Sequence, residues 1–276
     1  MRPGFMIYSL GRALSDGTLT VPDALKLMKE LGAEGVDITA WHVADYSLAE
    51  ARQMVADAGL VVSCYIDGAN VLAEDPAERG AAMDKLRRII DETAEIGCKT
   101  ALLITGDCKT REERAAGRRQ TAEALAELLP QARANGVTLT FEDRGSLLCP
   151  YQTGAECLEV CELAGPEMML TYDTGNMIPS GEDPVTFFEV ARSRVAHVHV
   201  KDWALLPPEA TQGLASLSGR RYQGAIIGQG VLDYPRIFAA LKAADYKGFV
   251  SFEYEGGGDP IQAAREGMAY LHSMMQ

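Results

Sequence analysis

No run of this chain is apolar for the roughly 18 residues that a bilayer-spanning helix needs. The first residues, Met1-Arg2-Pro3-Gly4, pass almost directly into a strand-like apolar run. They lack the charged, apolar and small-residue zones of a secretory leader, so the expected location is the cytoplasm. Basic surplus is missing too: 26 Lys and Arg face 39 Asp and Glu, for a formal net charge of −13. Phosphate backbones are bound through Lys and Arg, so nucleic acid is a poor partner for such a chain. The six cysteines, at 64, 98, 108, 149, 157 and 161, contain no CxxC pair. They read as reduced, partly buried thiols and exclude a clustered zinc site. No GxGxxG follows the first apolar run, which removes the main support for a dinucleotide-binding sheet. Linkers and low-complexity tracts are also absent.

What is present is alternation. Short apolar, β-branched runs recur, each followed by an amphipathic stretch. The runs are Gly4–Ser9, Gly35–Thr39, Leu60–Ile66, Thr100–Thr105, Val137–Glu142, Met168–Asp173, Val195–Lys201 and Phe249–Tyr254. Between the first two, Ala24, Leu25, Leu27, Met28 and Leu31 have helical spacing, and Gly32 follows as a terminating glycine. Ser47 with Glu50 is a capping-box pattern. Ala101-Leu102-Leu103-Ile104 is apolar on both faces, as strands covered by helices are. Eight strand–helix units in 276 residues predict one α/β domain over residues 1–276, a (β/α)8 TIM barrel. A doubly wound open sheet is the alternative. The longest stretch without periodicity, Trp203–Gln229, is expected to be a loop over the pocket mouth.

Barrel chemistry sits where strands run out at the C-terminal face. Four successive runs end in polar residues there: Glu142, Asp173, the pair His197 and His199 with Lys201-Asp202 behind them, and Glu253. Singly each has an ordinary explanation; Asp173, for example, could cap the turn Thr174-Gly175. Together they place three carboxylates and an imidazole on one face. Without a cation the carboxylates would raise one another's pKa values. Glu142, Asp173, His199 and Glu253 are therefore the candidate ligands of one divalent metal. Such a donor set suits Mn²⁺, Mg²⁺, Fe²⁺, Co²⁺ or Zn²⁺, with manganese the expected ion. His197, two residues before His199, points to the same side but deeper in the barrel.

These residues resemble the xylose-isomerase-like TIM barrels, a superfamily of sugar and sugar-phosphate isomerases and epimerases. The resemblance runs over nearly the whole chain. It is carried by Phe141-Glu142-Asp143-Arg144-Gly145, Tyr172-Asp173-Thr174-Gly175-Asn176, His197-Val198-His199-Val200-Lys201-Asp202, Gly228-Gln229-Gly230-Val231-Leu232-Asp233 and Ser251-Phe252-Glu253-Tyr254-Glu255-Gly256. It implies the same ligands and gives Glu142 and Glu253 the proton transfers, through a metal-stabilised enediolate. The sequence departs from the sugar epimerases twice. Asn176 stands where they carry His, and Asp143-Arg144 replaces an Asn-His pair after Glu142.

A small carbohydrate is thus the expected substrate, with His42, Arg144, Asn176, Lys201 and Trp203 as candidate contacts. Tyr8 and Trp41 are further lining candidates, and Glu255, pointing with Glu253, is a candidate to support the ligands from behind. A lyase or dehydratase on the same fold, or a non-catalytic sugar-binding member, is the alternative. A repair endonuclease would need more than the four histidines present. Self-association into a homo-oligomer is left open by the sequence.

Overall fold

A computed structural model describes residues 1–276. Eight parallel strands close into a barrel: β1 (Arg2–Met6), β2 (Gly35–Thr39), β3 (Val61–Gly68), β4 (Thr100–Ile104), β5 (Thr138–Phe141), β6 (Met169–Asp173), β7 (Val195–Val200) and β11 (Phe249–Phe252). Their order around the ring is β1-β11-β7-β6-β5-β4-β3-β2. Helices α2 (Val21–Glu30), α3 (Leu48–Asp57), α4 (Pro76–Glu95), α5 (Arg114–Asn135), α6 (Gly154–Ala164), α7 (Pro184–Ala191), α8 (Tyr234–Ala243) and α9 (Pro260–Met275) alternate with the strands. None is long and apolar enough to cross a membrane.

Local chemistry explains the helix starts. Thr20 with Asp23, and Ser47 with Glu50, form capping boxes at α2 and α3, each satisfying two free backbone N–H groups. Asp75, Asp183, Asp233 and Asp259 cap four further helices, each followed by Pro at the first or second helical position. The apolar sides of helices and strands merge into a single large buried cluster.

Two segments differ from the sequence expectation. The first run is a strand only to Met6; Ile7–Leu10 then coil into a 3-10 turn and Gly11–Ser15 form the short helix α1. Trp203–Gln229 is not a plain loop. It contains an antiparallel sheet in the order β8-β10-β9, from β8 (Asp202–Leu205), β9 (Leu214–Ala215) and β10 (Arg221–Ala225). Strands of two to five residues are too short to show a period, and their pairing is non-local.

This sheet follows β7 directly, so it stands at the C-terminal face. Asp202 ties it down. Its carboxylate accepts the backbone N–H groups of Trp203, Gly228, Gly230 and Leu232 at 2.8–3.2 Å. The motifs Lys201-Asp202 and Gly228–Asp233 are thus two halves of one clasp.

Candidate metal centre

Strand register sets the height of each polar residue. Asp173 of β6 pairs with His199 of β7, and Ser251 of β11 also pairs with His199. Glu253, just beyond β11, lies one step further out, and its N–H donates to the Val200 carbonyl at 3.0 Å. Glu142 follows β5 immediately. Four strands adjacent in the ring therefore deliver these side chains to one place.

The structure brings all four together. Atoms of Glu142, Asp173 and His199 lie within 4.8 Å of one another. His199 Nδ1 is 3.2 Å from Glu142 Oε2 and 3.4 Å from Glu253 Oε2. Asp173 uses one oxygen for its turn, accepting the N–H groups of Gly175 and Asn176 at 2.7 and 3.1 Å. Its other oxygen faces the cluster, so the capping role and a ligand role coexist. Glu142 Oε2, Asp173 Oδ2, His199 Nδ1 and Glu253 Oε2 are all buried without a hydrogen bond. An unsatisfied buried polar group costs about 1–3 kcal/mol, and more when charged. Three oxygens and one imidazole nitrogen clustered here without hydrogen bonds are a donor set that fits a divalent cation.

The electrostatics agree. Burial pushes the Asp173 carboxyl well above the usual range; Lys201 opposes this, while Glu253 and Glu142 reinforce it. Burial acts on Glu253 in the same sense, but Lys201 and His199 outweigh it and hold that carboxyl to about 2. Burial would discharge His199, yet Asp37, Glu142 and Glu253 raise its pKa well above the ordinary value. Without a cation Asp173 and His199 therefore favour their protonated forms while Glu253 stays ionised, and a metal would compete with those protons.

Lys201 is buried among acids. Its Nζ donates to Glu253 Oε1 at 2.9 Å and to Glu255 Oε1 at 2.8 Å, and stands 3.3 Å from Asp173 Oδ2. On the far side of His199 lies Asp37 of β2, fully buried. Its Oδ2 meets His197 Nε2 at 2.8 Å and His199 Nε2 at 3.2 Å, while Oδ1 accepts the Ser63 hydroxyl at 2.6 Å. Asp37 and Ser63 were not candidates from sequence. The available signal was a lone carboxylate inside the apolar run Gly35-Val36-Asp37-Ile38-Thr39.

The remaining candidates lie around this core. Asn176 Nδ2 donates to the Asp143 carbonyl at 2.5 Å. Arg144 turns to Asp107 rather than to the cluster. Trp203 is buried, and its indole N–H donates to the Gly175 carbonyl at 3.0 Å. Gly175 is required there, because a Cβ would lie 2.7 Å from that indole nitrogen. His42 Nδ1 meets Thr39 Oγ1, and burial lowers the pKa of the ring. With Tyr8, Arg12, Trp41, Tyr254 and Glu255, His42 lines a cavity of about 470 Å³. Glu255 joins that cavity to Lys201 and the cluster. A larger cavity, about 780 Å³, lies between α4 and α5 and contains none of these candidate residues.

Fold and centre together define a class: a TIM barrel with a candidate divalent-metal site at the ends of four adjacent strands. The chain belongs to the xylose isomerase-like TIM barrel family, whose model matches residues 25–274. It is 28% identical over 161 residues to an inosose dehydratase of Lacticaseibacillus casei, covering 56% of this chain and 53% of that protein. The chain thus spans about half the length of this curated relative. A putative L-ribulose-5-phosphate 3-epimerase of Escherichia coli is 23% identical over 277 residues, covering 94% of this chain and 92% of the relative. Among solved structures, the IOLI protein with a binding zinc atom superposes with a TM-score of 0.81 at 15% identity, covering 100% of this chain and 98% of its own. At that identity the likeness shows the fold alone.

Proposed function

We propose that this chain is an isomerase or epimerase of a sugar, sugar phosphate or polyol ketone, acting at one divalent metal, expected to be manganese. Glu142, Asp173, His199 and Glu253 would hold the ion. The observation that carries the reading is four buried donor atoms without hydrogen bonds, those of Glu142, Asp173 and His199 grouped within 4.8 Å and that of Glu253 3.4 Å from His199 Nδ1. When bound, the ion supplies Lewis acidity that lowers the cost of negative charge on the substrate's oxygens.

The side chains do the rest. A carboxylate takes the proton from the carbon beside the carbonyl, and the electron pair moves onto the carbonyl oxygen. Glu253, kept ionised by Lys201, is suited to accept that proton. Glu142, from β5 on the other flank of β7 from Glu253, would in its acid form give its proton to the opposite face, which inverts the carbon. A single shuttling carboxylate would instead interconvert aldose and ketose. The substrate would enter through the cavity lined by Tyr8, Trp41 and His42, with Glu255 at its inner end. Lys201 would face the developing oxyanion. Asn176 and Trp203, whose side-chain N–H groups are donated to backbone carbonyls, would shape the floor.

A second reading shares the first step. Relatives matched over half of the chain are inosose dehydratases, one of them, from Bacillus cereus, at 34% identity. A lyase would remove the same proton and then expel the β-hydroxyl, which leaves as water after taking a proton from an acid. The test is incubation with ketoses, their phosphates and inositol-derived ketones in D₂O with Mn²⁺, read by NMR. Solvent deuterium on carbon with a rearranged sugar supports the first reading, and an unsaturated or deoxy product the second. No exchange and no product with any ketone rejects both.

A further inference from the structure

We infer that Asp37 is a positioning residue that fixes the His199 ring, so that Nδ1 is presented to a divalent cation. The inference rests on the metal centre proposed above. Asp37 comes from β2, separated from β7 by β1 and β11 in the ring, so its side chain reaches His199 across the barrel interior. It is fully buried, and both oxygens are engaged. Oδ1 takes the Ser63 hydroxyl, and Oδ2 meets Nε2 of both histidines, at 2.8 Å from His197 and 3.2 Å from His199. The two rings stand 5.2 Å apart with their planes at 89°, edge to face around the shared carboxylate.

This geometry settles which nitrogen of His199 is free. A neutral imidazole carries one N–H. With Nε2–H donated to a carboxylate, the neutral ring that binds a metal has its lone pair on Nδ1, the atom that lies without a hydrogen bond beside Glu142 and Glu253. A ring flip about Cβ–Cγ would put carbon where Nδ1 stands and forfeit the Asp37 contact. The carboxylate also makes the ring a stronger donor to a metal. The spacing His197-Val198-His199 follows: the first histidine helps hold the carboxylate, and the second is held by it.

The test uses the full chain with Asp37→Asn and Asp37→Ala. The Asn side chain can keep its oxygen toward the two rings and its NH₂ toward Ser63 Oγ, so it preserves shape and removes only charge. Mn²⁺ affinity is read from the spin-resonance signal of the free ion, and Co²⁺ coordination from the visible absorption bands. Thermal melting of the metal-free proteins checks the fold. We expect Asp37→Ala to weaken Mn²⁺ binding by about 10–100-fold and to shift the Co²⁺ bands. Asp37→Asn should fall between it and the unaltered protein. Ser63→Ala, which leaves the contacts to both rings, should bind nearly as the unaltered protein does. If Asp37→Ala does not fold, Asp37→Asn decides. Folded Asp37 variants with unaltered Mn²⁺ affinity and Co²⁺ bands overturn the inference and leave the centre standing. An unaltered protein that takes up neither ion overturns the centre, and the inference with it.

Discussion

Glu253 and Lys201 share a buried charged contact at 2.9 Å in the centre, and each gives a residue-scale prediction. Glu253→Gln and Glu142→Gln keep size and a donor oxygen but remove the base. Each should lower hydrogen–deuterium exchange on the substrate carbon by about 10²–10⁴-fold, measured with metal saturating. Near-full exchange in both variants would reduce these glutamates to structural roles. Lys201→Met removes a buried ammonium that faces Asp173, Glu253 and Glu255. Breaking a buried ion pair from one side typically costs about 3–5 kcal/mol. The metal-free variant should therefore melt well below the parent, and Mn²⁺ should restore part of the difference. A ligand at 100 times its Kd adds about 2.7 kcal/mol of stability. Unchanged melting would show that Lys201 bears little of the centre's charge balance.

At the scale of elements, the small sheet is the least tested part of the fold. Gly224 of β10 lies against the backbone that follows β11: a Cβ there would come within 2.5 Å of the Glu255 carbonyl carbon and the Gly256 nitrogen. Gly224→Ala must push the sheet away from Glu255, with an expected loss of about 1–3 kcal/mol. Chemical denaturation would show the destabilisation, and exchange at saturating metal should fall as Glu255 shifts. A variant as stable and active as the parent would mean that the sheet is loosely seated. The legibility of the elements follows the same line. Barrel strands could be read because each is a local apolar run ended by a helix signal, and Glu142, Asp173, His199 and Glu253 because they stand at the ends of such runs. Asp37 escaped because it sits mid-strand, and its partners lie 160 and 162 residues away in sequence. The sheet escaped because β8 and β10 are recognisable only once paired. Arg144 was nominated for its charge; sequence could not reveal its ion pair with Asp107, beside which the Arg144 Nε remains buried without a hydrogen bond.

Across the whole molecule, six buried thiols give a pH prediction. Burial pushes Cys98 up to about 11, and Cys149 and Cys161 up to about 12. Unfolded thiols ionise near 8.5. Below that pH both states hold the proton, and these groups add no slope. Between about 8.5 and 11 the folded chain keeps protons that the unfolded chain releases, so stability falls as pH rises. The slope approaches roughly 1.4 kcal/mol per pH unit for each such thiol. Melting temperature should drop steeply over that window, and a chromogenic disulfide reagent at pH 8 should react fully only after denaturation. Prompt reaction of the native protein would contradict the burial. The Asp202 clasp has its own consequence for traffic through the active face. Four backbone amides converge on that one carboxylate, and hydrogen bonds to a charged group are worth about 1.5–3 kcal/mol each. Swinging the sheet outward would break several of them at once, so the outward position is sparsely populated. The sheet acts as a wall along one edge of the cavity, abutting Glu255 and Gly256, while Tyr8 and Trp41 on its rim stand 40% and 48% open to water.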